Sequence, residues 1–565
     1  LQDWRRREKD SLEFFRTIAV DLAGGAPRML LMDDGNRSWV TGAEIVALRP
    51  RKPKTVVMSS FDFALTRANQ TVDTRIAKGR RDTAWISRLF EVDLRTGKGR
   101  ALESGTSFTE GWVVGRDGEP LARADWEPVL RLFRVYALRG GSWTEIHRLE
   151  NGSRLTLVGP SPDGTAALAI GAAGDGRSRL WSIALDGSGA RVLVEDERYD
   201  VESVLLDVDG QRPVAVWIGG AEGRLRWIDA AEERVHARIA QAFAGRQVEI
   251  RSRSRDGQRV LAYVSSPAHA PVYYLVDLAK RSAEIVGEPY PALVDLPLGE
   301  VRAITYPARD GTPIPAYLAL PPGRPAQGLP LVVMPHGGPE ARDEYAFDWF
   351  VQFLATRGYA VLQPQFRGST GFGDAHRLAG YRQWGGLMQD DVTDGVKAMI
   401  EQGIADARRV CIVGASYGGY AALAGATLTP ELYACAASIN GVADLPTMLG
   451  HVDRAGDESD AVAYWKDHIG SVHDPKVAER SPARRAQHVR APILLLHGTA
   501  DSVVPIAQSE TMARALAAHG KPHEFVKLPG EDHWLSGGET RTRVLQELEE
   551  FLAQHLAAPA RTAAN

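Results

Sequence analysis

Arg409-Val410-Cys411-Ile412-Val413-Gly414-Ala415-Ser416-Tyr417-Gly418-Gly419-Tyr420-Ala421-Ala422-Leu423 decides how the second half of this chain is read. It opens as a short apolar, β-branched run that fits a buried strand and closes as an Ala/Leu-rich segment that fits a helix. Between them stands Gly-x-Ser-x-Gly. A serine on a sharp strand-to-helix turn projects its hydroxyl above the sheet edge, and the flanking glycines tolerate the crowded backbone that such a turn requires. Ser416 is therefore the candidate nucleophile.

Around this stretch, apolar runs alternate with helical patterns from about Leu298 onward. The strands are a pair over Val301–Pro321 about an Asp-Gly turn, then Leu329–Met334, Ala360–Gln363, the nucleophile strand, Tyr433–Ile439, Ile493–Leu496 and Glu524–Leu528. Helices are expected near 349–357, 389–402, after Ser416, and near 540–555. Such alternation implies a mostly parallel sheet covered on both faces, with active residues at the carboxyl ends of its strands.

Several polar motifs fall at those ends. Pro335-His336-Gly337-Gly338-Pro339 follows one strand, where glycines let backbone N–H groups approach a ligand oxygen; with the N–H of Tyr417 they are a candidate oxyanion hole. His497-Gly498-Thr499-Ala500-Asp501 follows another and offers Asp501 as an acid to orient an imidazole. Gly530-Glu531-Asp532-His533-Trp534 follows the last and offers His533 as the base. The order Ser416, Asp501, His533 is that of nucleophile, acid and base in α/β-hydrolases. Glu531 and Asp532 suit loop caps, and His336 and His497, each directly following a strand, suit supporting hydrogen bonds.

The first half has a different texture. Asp-Gly turns recur at Asp117, Asp163, Asp209 and Asp256, and a second marker recurs at Val20-Asp21-Leu22, Val92-Asp93-Leu94, Tyr136-Ala137-Leu138, Ile183-Ala184-Leu185, Ile228-Asp229-Ala230 and Val276-Asp277-Leu278. Apart from a wider first gap, read as one unit with an insertion at the basic, Pro-rich loop near Arg51, the spacing lies in the mid-forties. That period, with several short strands per unit, implies a β-propeller of six visible repeats over 1–297, followed by an α/β-hydrolase over 298–565. The first marker lies only twenty residues in, so the opening unit is expected either to lack its early strands, with a missing N-terminal segment the preferred explanation, or to take them from elsewhere. Glu232-Glu233 is a candidate for holding a substrate amino terminus, but its place at an inter-strand turn favours a solvated hairpin.

Composition excludes several functions. The 565 residues are 44% hydrophobic and 24% charged, ordinary for a globular protein, and the net charge of -4 provides no global field for nucleic acid. The runs Arg5-Arg6-Arg7 and Arg49-Pro50-Arg51-Lys52-Pro53-Lys54 read as solvated surface. No apolar run is long enough to span a membrane. The chain begins at Leu1 without a leader pattern, which leaves cytoplasm and periplasm both open. His468, His473 and Asp474, read as a loop, lack metal spacing, and neither a metal nor another cofactor is expected. Cys411 and Cys435 fall in two strands of one sheet; buried free thiols are expected, and a disulfide between them would mark an oxidising compartment.

Gly414-Ala415-Ser416-Tyr417-Gly418-Gly419, His336-Gly337-Gly338-Pro339, Phe366-Arg367-Gly368-Ser369-Thr370-Gly371-Phe372-Gly373, Asp390-Asp391 and Gly530-Glu531-Asp532-His533-Trp534 together resemble the prolyl oligopeptidase family of serine peptidases, in particular its acylaminoacyl-peptidase and dipeptidyl-peptidase-like branch. The resemblance implies a seven-bladed propeller capping the hydrolase and restricting it to short or unusual peptides, where this sequence displays six units. It further implies Ser416 as nucleophile, His533 as base, Asp501 as orienting acid, and the N–H groups of Tyr417 and Gly338 as the oxyanion hole. Met448, Tyr464 and Trp465 lie in the segment expected over the nucleophile and are candidates for the substrate pocket or for helix packing. An esterase, an isopeptidase opening a macrolactam-linked (lasso) peptide, and a non-catalytic interaction protein are the alternative readings. The residues leave the oligomeric state open, a homodimer being one candidate, and the partner they point to is a peptide substrate.

Overall fold

The computed structural model describes residues 2–7, 10–15, 17–31, 43–48, 52, 54–128, 130–150, 153–172, 176–207, 212–254, 256–453 and 460–557, with the exception of 64–84. The chain forms two compact units, Leu1–Gly219 with Arg224–Glu233, and Gly220–Gly223 with Arg234–Asn565.

The first unit is a succession of small antiparallel sheets, each threaded in simple up-and-down order. Three have four strands and span 43–104, 109–149 and 156–194; a fourth has three strands over 201–227. Two-stranded pairs over 2–15 and 18–29 precede them. The repeat markers have a structural meaning. Asp117-Gly118 and Asp163-Gly164 turn the first strand of a sheet into its second, and Asp93, Leu138 and Ala184 close third strands. Asp209-Gly210, and residues 49–51 and 53 of the basic loop, lie outside the described residues. Lys52 of that loop pairs with Glu91 at 3.1 Å.

One marker misleads. After Ile228-Asp229-Ala230 the chain enters a helix, Ala230–Ala242, instead of a fourth strand, with Asp229 Oδ1 accepting the N–H groups of Ala231 and Glu232. Glu232 and Glu233 therefore occupy the first turn of a helix, where carboxylates favour the positive end of its dipole, and not a hairpin.

The second unit holds a four-stranded antiparallel sheet over 247–287 and an eight-stranded sheet. The latter consists of β1 (Glu300–Pro307), β2 (Pro313–Leu320), β3 (Leu329–Val333), β4 (Ala360–Pro364), β5 (Ala405–Ala415), β6 (Cys435–Ile439), β7 (Ile493–Gly498) and β8 (His523–Leu528), in the order β1-β2-β4-β3-β5-β6-β7-β8. β1 and β2 are antiparallel and β4 onward parallel. Alternation along β5 sends Val410 and Ile412 to one core and Cys411 and Val413 to the other. Helices Leu387–Glu401, Tyr417–Leu428 and Ala507–Ala518 cover the first face; Trp349–Thr356 and Gly538–Leu556 cover the second. Among the described residues no helix is long and apolar enough to cross a membrane.

Parallel register sets Cys411 beside Cys435, and the two are joined in a disulfide. This corrects the expectation of free thiols: both residues have no exposed surface, and adjacency on the sheet, which spacing in the chain does not reveal, brings the sulfurs together. A second correction concerns His468, which sits within helix Asp460–Ile469 and not in a loop.

Candidate active site

Ser416 stands at the junction of β5 and helix Tyr417–Leu428 with φ 58° and ψ -119°, a left-handed conformation for a residue with a side chain. Its N–H donates to Ile439 O of β6 at 2.9 Å, which fixes the turn to the neighbouring strand. The flanking glycines are obligatory. A Cβ on Gly414 would come within 2.4 Å of the Gly418 backbone, and one on Gly418 within 2.1 Å of Pro335 O. The helix that follows is buried from Tyr417 to Thr427, so the turn is clamped from behind.

Asp501 and His533 are contributed by the loops after β7 and β8. His533 Nε2 lies 3.0 Å from Ser416 Oγ, and His533 Nδ1 lies 2.7 Å from Asp501 Oδ2. The Asp501 carboxylate has no exposed surface and the imidazole 5%. Oδ1 of Asp501 accepts the N–H groups of Val503 and Val504 at 2.9 and 2.8 Å, which locks the carboxylate plane. Such a chain of contacts can move a proton from the hydroxyl to the imidazole and stabilise the resulting imidazolium.

Asn440, absent from the residues singled out by sequence, ties this arrangement together. It is buried at the end of β6, donates through Nδ2 to the carbonyls of His533 and Asp532 at 3.1 and 3.3 Å, and accepts the Gly498 N–H at 2.9 Å. The only sequence signal is a polar residue before glycine, Asn440-Gly441, at the carboxyl end of a strand.

The other candidates have structural partners. His336 stacks on Phe366 and its Nε2 meets Ser369 Oγ at 2.8 Å, and burial pushes its pKa down to about 4. His497 is held by Ser509 Oγ at 2.7 Å and by Val504 O at 2.9 Å, with its pKa lowered by burial. Glu531 accepts the Gly537 N–H, and Asp532 those of Trp534 and Ser536. Arg367 and Asp391 of the remaining motifs form a buried ion pair at 2.5 Å.

Tyr417 opens the helix, so its N–H belongs to the first turn, whose donors have no acceptor within the helix. Gly337 is the residue of the His-Gly-Gly loop against Ser416, since a Cβ built on it lies 3.5 Å from the serine Cβ; Gly338 follows with φ 119°. Tyr464 and Trp465 are half-buried on helix Asp460–Ile469, and Trp465 reaches Tyr417 through Trp384, with ring centroids 5.9 and 4.6 Å apart. Met448 has no exposed surface and packs in the apolar core. Among the described residues no group of three or more His, Cys, Asp or Glu side chains is arranged to hold a metal ion.

Comparison with known proteins defines the class. Residues 345–559 match the prolyl oligopeptidase family model, and a relative 31% identical extends across almost all of this chain. The chain belongs to the prolyl oligopeptidase family and is a hydrolase of the serine-peptidase class. That relative is the dipeptidyl aminopeptidase BIII of Pseudoxanthomonas mexicana, with 97% of this chain and 78% of the relative covered. The acylamino-acid-releasing enzyme of Mus musculus is 30% identical over 40% of this chain and 32% of its own length. Among solved structures, a puromycin-hydrolysing peptidase of Mycobacterium tuberculosis aligns with a TM-score of 0.70 at 23% identity, covering 99% of this chain and 86% of its own. An acylaminoacyl peptidase in complex with Z-Gly-Gly-Phe-chloromethyl ketone aligns at 0.68 and 16%, covering 98% and 86%. These last two are likenesses of fold.

Proposed function

We propose that the protein hydrolyses amide bonds of short peptides through an acyl-enzyme on Ser416. His533 takes the Ser416 proton as the hydroxyl attacks the carbonyl, then delivers it to the leaving amine; Asp501 holds the imidazole in the tautomer this requires. The N–H groups of Tyr417 and Gly338 receive the developing oxyanion, helped by the positive end of helix Tyr417–Leu428. Water then repeats the cycle on the ester. The observation that carries the reading is the continuous contact from Asp501 through His533 to Ser416, at 2.7 and 3.0 Å.

Residues 1–297 act as a β-propeller and 298–565 as the α/β-hydrolase, the propeller limiting entry to short chains. Support comes from the mid-forties repeat and from the matching succession of small antiparallel sheets. Tyr464 and Trp465 line the pocket for the residue before the scissile bond, supported by their aromatic continuity with Tyr417. Likeness to a dipeptidyl aminopeptidase over 97% of the chain makes release of short N-terminal fragments the first activity to assay. The test is a mixed peptide library, plus dipeptidyl and N-acyl-aminoacyl p-nitroanilides, digested by wild type and Ser416→Ala and read by mass spectrometry. Cleavage by the wild type alone supports the reading; equal cleavage by both, or none by either, overturns it.

A further inference from the structure

Trp534 follows the imidazole directly, and 65% of its surface is exposed, whereas Trp112, Trp126 and Trp384 are buried. A lone exposed valine or leucine is ordinary on a protein surface, but a tryptophan left in water gives up one of the largest apolar burials a side chain offers. Its position is enforced. Asp532, itself buried, caps the turn by accepting the Trp534 N–H at 2.9 Å, the Ser536 N–H at 3.2 Å and the Ser536 hydroxyl at 2.7 Å. Leu535 takes a positive φ of 53°, costly for a side-chain-bearing residue. Asn440 pins the His533 carbonyl, and the Gly530 N–H is held by Thr499 Oγ1 at 2.8 Å. The loop thus has little freedom to fold the indole inward.

The indole stands 5.2 Å from the His533 ring, at 87° to it. In acyl transfer by a serine and a histidine, the leaving amine must reach the imidazole Nε2 to receive its proton, so the residue after the scissile bond passes the histidine. We propose that Trp534 forms the wall of that leaving-group subsite and selects peptides with a large apolar or aromatic residue immediately after the cleaved bond. This rests on the acyl-enzyme reading above.

Acyl transfer to added amines isolates the subsite, because the incoming amine occupies the place of the leaving one. p-Nitrophenyl acetate acylates Ser416 with release of nitrophenol. The acyl carbonyl then forms a bond to the amine nitrogen of phenylalaninamide or glycinamide as its bond to Ser416 Oγ breaks; the amine proton passes to His533 Nε2 and on to the serine oxygen. Wild type is expected to favour phenylalaninamide over glycinamide by about tenfold, Trp534→Ala to bring the ratio near unity, and Trp534→Phe to keep most of it. A ratio unchanged in Trp534→Ala, or transfer to both amines falling together, overturns the subsite and leaves the hydrolase reading standing. Absence of nitrophenol release by the wild type overturns both.

Discussion

Asp501 holds His533 through a 2.7 Å contact between Oδ2 and Nδ1 while its other oxygen accepts two backbone N–H groups. The carboxylate therefore has one orientation, and the imidazole inherits it. Asp501→Asn presents an amide that favours the wrong tautomer, so kcat is expected to fall by on the order of 10⁴ with KM little changed and circular dichroism unaltered. A loss below tenfold would show that Asp501 does not set the tautomer of His533.

Asn440 is a second, indirect support. In Asn440→Ala the buried Gly498 N–H loses its acceptor and the His533 carbonyl its donor. An unsatisfied buried group costs about 1–3 kcal/mol. The expected outcome is a lowered urea midpoint together with a kcat reduced about 10–100-fold, as the His533 loop loosens by a fraction of an ångström. Retention of both values would reduce Asn440 to a bystander.

Glu340, next after the His-Gly-Gly-Pro loop, accepts from Arg377 at 2.5 Å and from the Tyr381 hydroxyl at 2.8 Å, with His468 Nε2 at 3.5 Å. Burial acts to raise its pKa, but the His468 contact and the Arg377 charge outweigh it and pull the carboxyl down to about 2. The folded value lies below the unfolded one of 4.5, so the ionised group adds stability at neutral pH that fades as pH falls from about 4.5 toward 2. Urea melts should show Glu340→Gln less stable than wild type at pH 7, with the gap narrowing by pH 3; a gap constant with pH would assign the loss to shape alone.

The Cys411–Cys435 disulfide closes a loop across two parallel strands, with a sequence separation of 24. Thiol titration in denaturant should find no free thiol before reduction and two per chain after it. Replacing both cysteines by alanine is expected to cost about 3 kcal/mol from loop-closure entropy, with the lost packing in addition. Two free thiols in the unreduced protein would contradict the bond.

Much of the larger sheet is legible in the chain because its strands are uninterrupted apolar runs such as Leu494-Leu495-Leu496, each ending in a glycine-bearing polar loop. Ser416, Asp501 and His533 stand out for the same reason: each lies just past the point where an apolar run stops. What escaped depends on contacts between distant segments. Helix Ala230–Ala242 follows a marker like the others and was signalled only by an aspartate cap and the Ala/Glu/Arg composition after it. The disulfide follows from strand register. Asn440, and the cluster of Glu340, Arg377, Tyr381 and His468, join residues up to 128 positions apart, which no local period records.

Hydrolysis by the proposed route requires Ser416 to be a nucleophile activated by His533. The most direct measurement is labelling of the native protein with a fluorophosphonate probe, followed by peptide mapping. One probe per chain is expected on Ser416, none in Ser416→Ala, and labelling slowed by several orders of magnitude in His533→Ala. Absence of labelling in the wild type, or labelling that persists in Ser416→Ala, would contradict it.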